Sequence, residues 1–77
     1  MKNTLDLIIK GIVDKTDEVE IIEEENEGVV NLTVKVNPEE MGKVIGKEGK
    51  VIRAIRNVLR IQAMKENKKI YVNLAEV

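Results

Sequence analysis

Val44-Ile45-Gly46-Lys47-Glu48-Gly49-Lys50-Val51-Ile52 is the stretch on which the fold turns. Two glycines stand three apart, with charged residues between them and an apolar pair on either side. Glycine is required where the backbone takes a positive φ or where another backbone comes too close for a Cβ. The residues before the glycines read as a short helix and those after as a long one. The stretch is therefore a turn between two helices with an exposed tip. Lys47 lies on that tip, with Lys43 and Lys50 beside it, so a polyanionic backbone is the ligand it suits.

Downstream, the spacing predicts a helix over 50–65. Val51, Ala54, Ile55, Val58, Leu59 and Ile61 share a broad apolar arc, with Gln62 inside it, while Arg53, Arg56 and Arg60 gather on the other side. That arginine stripe is either a solvated helix face or a contact surface for nucleic acid or an acidic partner. After a polar exit at 66–69, Ile70, Val72 and Leu74 alternate with Tyr71 and Asn73 as a last strand, with Glu76 and Val77 expected to fray.

Upstream, Asn37-Pro38 with Glu40 two residues on starts the short helix: a cap, a residue suited to the first helical position and an acid in the first turn. Met41, Val44 and Ile45 fall on one side of it, and Gly42 would admit a close neighbour. Val30, Leu32, Val34 and Val36 alternate with polar residues in the clearest strand of the chain. Before it, Val19 and Ile21 alternate with glutamates, and residues 23–28 read as a hairpin tip. Its four glutamates are either a solvated loop or a cation site, and they should face away from an anionic ligand. At the start, Asn3 can cap a helix whose Leu5, Ile8, Ile9, Ile12 and Val13 recur at helical spacing.

The order is helix, strand, strand, helix, glycine turn, helix, strand. The connection between the strands at 29–36 and 70–74 is long enough for a parallel pair. Helices packed on one face of a three-stranded sheet are the economical arrangement of these α+β elements. Seventy-seven residues allow one domain, spanning 1–77.

Composition excludes several classes of function. There is no Cys, hence no disulfide or thiolate chemistry, and no His, the usual general base and commonest zinc ligand. No nucleophile and base pair is visible, so no catalytic residue, metal or cofactor is expected. The turn lacks the spacing of a P-loop or a dinucleotide fingerprint. No apolar run reaches about 18 residues, so no membrane span is expected, and a cytoplasmic location is the expectation. The net charge of −1 hides a division. Residues 1–40 carry four lysines against eleven acids, net −7, and residues 41–77 carry nine cations against three acids, net +6. The positive half holds the glycine turn. The asymmetry also suits mutual packing between copies.

Taken alone, G-x-x-G between helices is only a tight turn. With the element order around it, V-I-G-K-E-G-x-x-I resembles the signature of the KH domain, a single-stranded nucleic-acid-binding module, in its type II arrangement of order α-β-β-α-α-β. The resemblance covers the whole chain. At this length, with this N-terminal helix and hairpin, the chain resembles the small single-KH proteins of the bacterial KhpA family. The resemblance implies a clamp on about four nucleotides of RNA, with backbone roles at Gly46, Lys47, Glu48 and Gly49 and groove-lining roles at Val44, Ile45 and Ile52. Lys43, Lys50 and Arg53 add charge at the clamp, and Arg56 and Arg60 form a secondary basic face. Val44 and Ile45 read as core or groove on pattern alone. Glu48 departs from the neutral or basic residue usual there and costs attraction for phosphate. The resemblance further implies an RNA chaperone or post-transcriptional regulator acting with a KhpB-like KH partner, linked to peptidoglycan homeostasis and cell shape. The other reading is a protein-interaction module, a homodimer included, in which the turn region is an interface.

Overall fold

The computed structural model describes residues 1–77. Helix α1 (Lys2–Ile12) leads through a 3₁₀ turn at Thr16–Glu18 into strands β1 (Glu20–Asn26) and β2 (Val29–Val36). A second 3₁₀ turn at Pro38–Glu40 opens α2 (Met41–Ile45), the glycine turn follows, and α3 (Lys50–Lys65) and β3 (Lys69–Glu76) complete the chain. The sheet order is β1-β2-β3, with β1 antiparallel and β3 parallel to β2. The α-β-β-α-α-β order and the helix-covered sheet are those expected from the sequence.

Strand β2 is central because its apolar period is perfect: Val30, Leu32, Val34 and Val36 are all completely buried. Ile21 pairs opposite Val34 and Val72 opposite Leu32, which widens the apolar face across all three strands. Leu5 and Ile9 from α1, Val44 from α2, and Ile52, Ile55 and Leu59 from α3 close over it. The core is wholly aliphatic. Truncating one of these side chains to Ala costs about 2–5 kcal/mol in such a site.

Several local expectations are corrected. Asn3 does not cap α1. The helix starts two residues earlier, Met1 occupies the cap position, and the Leu5 N–H bonds to the Met1 carbonyl at 3.1 Å. Half-buried Met1 packs against the core, which draws the start of the chain into the helix. The hairpin tip is only Glu27-Gly28, both at positive φ (51° and 78°), as a two-residue turn of mirror-image type requires. Residues 23–26 are therefore strand. Glu23 and Glu25 pair with Leu32 and Val30, on the core-facing side of an edge strand, where a charge discourages pairing with another sheet. Gly42 is exposed with nothing near it, so it admits no close neighbour. The buried stripe of α3 is Ile52, Ile55, Leu59 and Ala63, rotated from the expected arc. Val58 and Ile61 are left largely exposed. The end does not fray: β3 runs to Glu76, and the Val77 N–H bonds to the Val36 carbonyl at 3.0 Å.

One buried carboxylate fixes how α1 meets α2. Glu40 is 5% exposed. Its Oε1 accepts from the Asp14 N–H at 2.7 Å and the Lys15 N–H at 3.1 Å. The chain leaving α1 is thereby tied to the turn that opens α2, whose cap is Asn37, accepting from the Glu39 N–H at 2.9 Å. Exposed pairs surround this point, Lys15 with Glu39 at 3.2 Å and Lys43 with Asp14 at 2.8 Å. The hydrogen bond and charge of Lys43 hold the Asp14 carboxyl below its ordinary range. Such exposed pairs contribute little to stability, whereas a charged acceptor on two amides contributes more. Glu40→Ala is expected to cost about 1.5–3 kcal/mol by stranding two backbone N–H groups, and Glu40→Gln less, because one oxygen remains. Urea unfolding measures this as a lower midpoint at unchanged slope; an unmoved midpoint in the Ala variant would remove Glu40 from this role.

Candidate nucleic-acid interface

Helix α2 ends as the Gly46 N–H bonds to the Gly42 carbonyl at 2.8 Å. Gly46 then takes φ 77°, ψ 173°. A Cβ there would lie 2.3 Å from Val51 Cγ2 and 2.9 Å from the Val51 backbone nitrogen. The turn is thus folded hard against the first turn of α3, and only glycine fits. Gly49 has φ 73° for a different reason: it forms the left-handed step into α3, and nothing lies within 4 Å of where its Cβ would be. The space beside Gly49 is open to another backbone. Between the glycines, Glu48 is also left-handed at φ 57°, a conformation that disfavours side chains with a Cβ.

Arg53 braces the turn. Its Nε donates to the Gly49 carbonyl at 3.2 Å and its guanidinium also donates to the Glu48 carbonyl. It therefore brings charge to the turn while holding its shape. Lys47 and Lys50 are exposed and have no carboxylate within 4 Å, whereas Lys43 is engaged with Asp14. Lys43 reaches a ligand at the tip only by leaving Asp14. Of the expected groove residues, Val44 is completely buried and Ile52 is 6% exposed, so both are core. Ile45, 37% exposed, is the one that remains accessible.

A cleft of about 680 Å³ separates α3 from β3 and is lined by Arg56, Arg60 and Met64 on one side and by residues 68–73 on the other. β3 pairs only with β2, so its outer edge is open. Arg56 Nη2 donates to the Val72 carbonyl on that edge at 3.2 Å. The stripe of Arg53, Arg56 and Arg60 thus leads from the glycine turn into the cleft, joining what the sequence divided into a clamp and a secondary face. Lys68, Lys69 and Tyr71 were not foreseen in it, because alternation alone does not say that β3 is an edge strand next to α3. The hairpin acids do not all face away: Glu25 pairs with Lys68 at 3.0 Å at the end of the cleft, and Glu66 with the same lysine at 3.6 Å. The other flank of α3 is apolar. Val51, Ala54 and Val58 form a shallow groove with Ile8 and Ile12 of α1. No group of three or more acidic, His or Cys residues is placed to hold a metal ion.

The two glycines should respond differently to the same substitution. Gly49→Ala is expected to cost about 1 kcal/mol, the left-handed penalty alone, and Gly46→Ala at least about 2 kcal/mol, since Val51 must also shift. Equal destabilisation in chemical unfolding would contradict the contact with Val51.

A family model described as the KH domain of KhpA and KhpB matches residues 2–74. The RNA-binding protein KhpA of Clostridium acetobutylicum is 47% identical over 74 residues, 96% of this chain and 99% of its own. The protein of the same name from Clostridium perfringens is 46% identical over the same shares. That from Aquifex aeolicus is 37% identical over 76 residues, 99% of this chain and 96% of its own. KH domains bind RNA and are not catalytic. The matched region takes in both helices around the glycine turn and the strand beside the cleft, and the chain belongs to the KhpA/KhpB KH-domain family.

Proposed function

We propose that the protein binds single-stranded RNA, with the sugar-phosphate backbone against the glycine turn and the bases along the cleft beside β3. The observation that carries this reading is the open space at Gly49 between two unpaired lysines, at the start of the helix whose later arginines line the cleft. Lys47 and Lys50 meet phosphate as point charges, and the start of α3, which has no side-chain cap, turns its positive dipole end toward the same place. Ile45 supplies the apolar contact at the mouth. Arg53 keeps the turn in shape and adds charge. Glu48 opposes phosphate, so affinity is low for one domain.

The wider role comes with the family resemblance: an RNA chaperone or post-transcriptional regulator in the cytoplasm, working with a KhpB-like KH partner and bearing on peptidoglycan homeostasis and cell shape. No helix is long and apolar enough to cross a membrane. Partner binding has its own structural support. The groove of Ile8, Ile12, Val51, Ala54 and Val58 leaves apolar surface in water, with Val58 48% exposed. We assign this face to a second KH domain, that of a KhpB-like partner.

Titration of labelled single-stranded RNA into the protein and into a Lys47→Asp, Glu48→Asp variant tests the first reading. Both glycines remain, so the turn persists while two carboxylates replace the phosphate site. Binding should fall at every salt concentration, and the salt slope should drop by about 0.7 for each phosphate no longer neutralised. Equal binding by both proteins would move RNA off the turn. For the second reading, sedimentation of the protein with a KhpB-like KH domain should show a complex that Val58→Asp abolishes without loss of helix content. A complex that survives Val58→Asp would place the partner elsewhere.

A further inference from the structure

Glu48 stands in the glycine turn against two local preferences. Its φ of 57° is one that a side chain with a Cβ disfavours. Its charge opposes the phosphate that Lys47 and Lys50 suit. The fold does not account for it. The carboxylate is exposed, with no cation within 4 Å and no hydrogen-bond donor. Lys47, Lys50 and Arg53 are close to it in the chain, and none of them pairs with it. A strained residue of opposing charge at a binding site points to a role in what the site selects.

Every backbone carbonyl of the turn is already engaged. That of Gly46 accepts from the Gly49 N–H at 3.1 Å. That of Lys47 accepts from the Lys50 N–H. Those of Glu48 and Gly49 accept from Arg53. The side chains of Lys47, Lys50 and Arg53 only donate. The Glu48 carboxylate is therefore the one acceptor of the turn left without a donor. A bound sugar-phosphate backbone meets it with different groups in DNA and in RNA. The backbone of DNA carries acceptors alone. RNA adds one donor per nucleotide, the 2′-hydroxyl.

We propose that Glu48 selects RNA over DNA by accepting the 2′-hydroxyl of the nucleotide whose phosphates lie on Lys47 and Lys50. This rests on the RNA reading above and adds a selectivity to the same site. The two lysines bracket Glu48 and Gly49 in the chain, so the sugar between their phosphates is the one that meets the carboxylate. With RNA, the new hydrogen bond offsets the repulsion between carboxylate and phosphate. With DNA the repulsion stands alone, and an unpaired charge is a direct way to exclude a wrong partner. Glu48 thereby lowers overall affinity and raises discrimination. At an exposed site the preference should be about tenfold, the low end for a hydrogen bond to a charged acceptor.

Three labelled eight-nucleotide strands with the same bases test this: RNA, its 2′-deoxy form and its 2′-fluoro form. The fluoro strand keeps an RNA-like sugar and loses the donor, so it separates hydrogen bonding from sugar shape. The unsubstituted protein, Glu48→Gly and Glu48→Gln are titrated into each strand and read by anisotropy. Glycine fits the left-handed φ and removes both acceptor and charge. The unsubstituted protein should bind RNA about tenfold more tightly than either modified strand. Glu48→Gly should bind all three alike, and the modified strands more tightly than the unsubstituted protein does. Glu48→Gln keeps a neutral acceptor of about half the strength, so its preference should be about threefold. A fluoro strand bound as well as RNA, or a preference for RNA unchanged in Glu48→Gly, would overturn the assignment. Lys47→Asp separates the two readings. If it weakens RNA binding while the preference ignores Glu48, the glycine turn stands and the selectivity falls. If Lys47→Asp leaves RNA binding unchanged, RNA is not on the turn and both readings fall.

Discussion

The contact between Gly46 and Val51 is the constraint on which the functional half of the molecule depends. With no Cβ at Gly46, the turn closes until the glycine sits against the Val51 side chain and backbone nitrogen. That closeness sets the angle at which α3 leaves α2. The direction of α3 in turn decides that Ile52, Ile55, Leu59 and Ala63 meet the sheet, and that Arg56 reaches the open edge of β3. Arg53 then locks the second half of the turn by binding the carbonyls of Glu48 and Gly49. The turn is thus shaped before any ligand arrives, and a bound backbone need not spend free energy to order it.

The division of charge becomes intelligible once the fold is known. Two of the four lysines of the acidic half are consumed locally: Lys10 pairs with Asp6, and Lys15 with Glu39. Even Lys43, from the basic half, is drawn to Asp14. Among the cations with no acidic partner, Lys47, Lys50, Arg56 and Arg60 lead from the glycine turn along α3. A net charge of −1 therefore coexists with a positive track along one side of α3. At separations of a Debye length, about 8 Å in physiological salt, the local line governs what approaches and the whole-molecule charge does not.

Element types and order were legible in the sequence because the signals were strong and local. β2 alternates without a fault, Asn37-Pro38 marks a helix start, and the limits of α3 at 50 and 65 coincide with the expected ones. The errors arose where tertiary contacts decide. The apolar arc of α3 was centred too far toward Val58 and Ile61, because a helix with apolar residues on two faces does not reveal which one the sheet covers. Glu40 reads as an ordinary first-turn acid, and its bonds to residues 14 and 15 cross a distance in sequence that no local pattern spans. Of the candidate site, the glycine turn and its lysines were visible. The far wall of the cleft was not, since β3 is brought beside Arg56 only by its parallel pairing at the sheet edge. Val44 and Ile52, equally compatible with groove and core on pattern, are core.

The wheel of α3 also bears on whether RNA and a partner compete. Successive residues advance by about 100°. Measured from buried Ile55, Arg56 lies about 100° to one side, and Ala54 the same amount to the other. Arg60 and Met64 lie further round on the arginine side, and Val58 lies on the side of Ala54. The helix therefore has three faces: one in the core, one along the cleft, and one in the apolar groove with Ile8 and Ile12. A partner seated on Val51, Ala54 and Val58 leaves the cleft uncovered, and it approaches the glycine turn only at Lys50 and Val51. Pairing through that face would join two RNA tracks without blocking either. Two weak clamps held together in this way bind a strand more tightly than one, provided the strand is long enough to reach both.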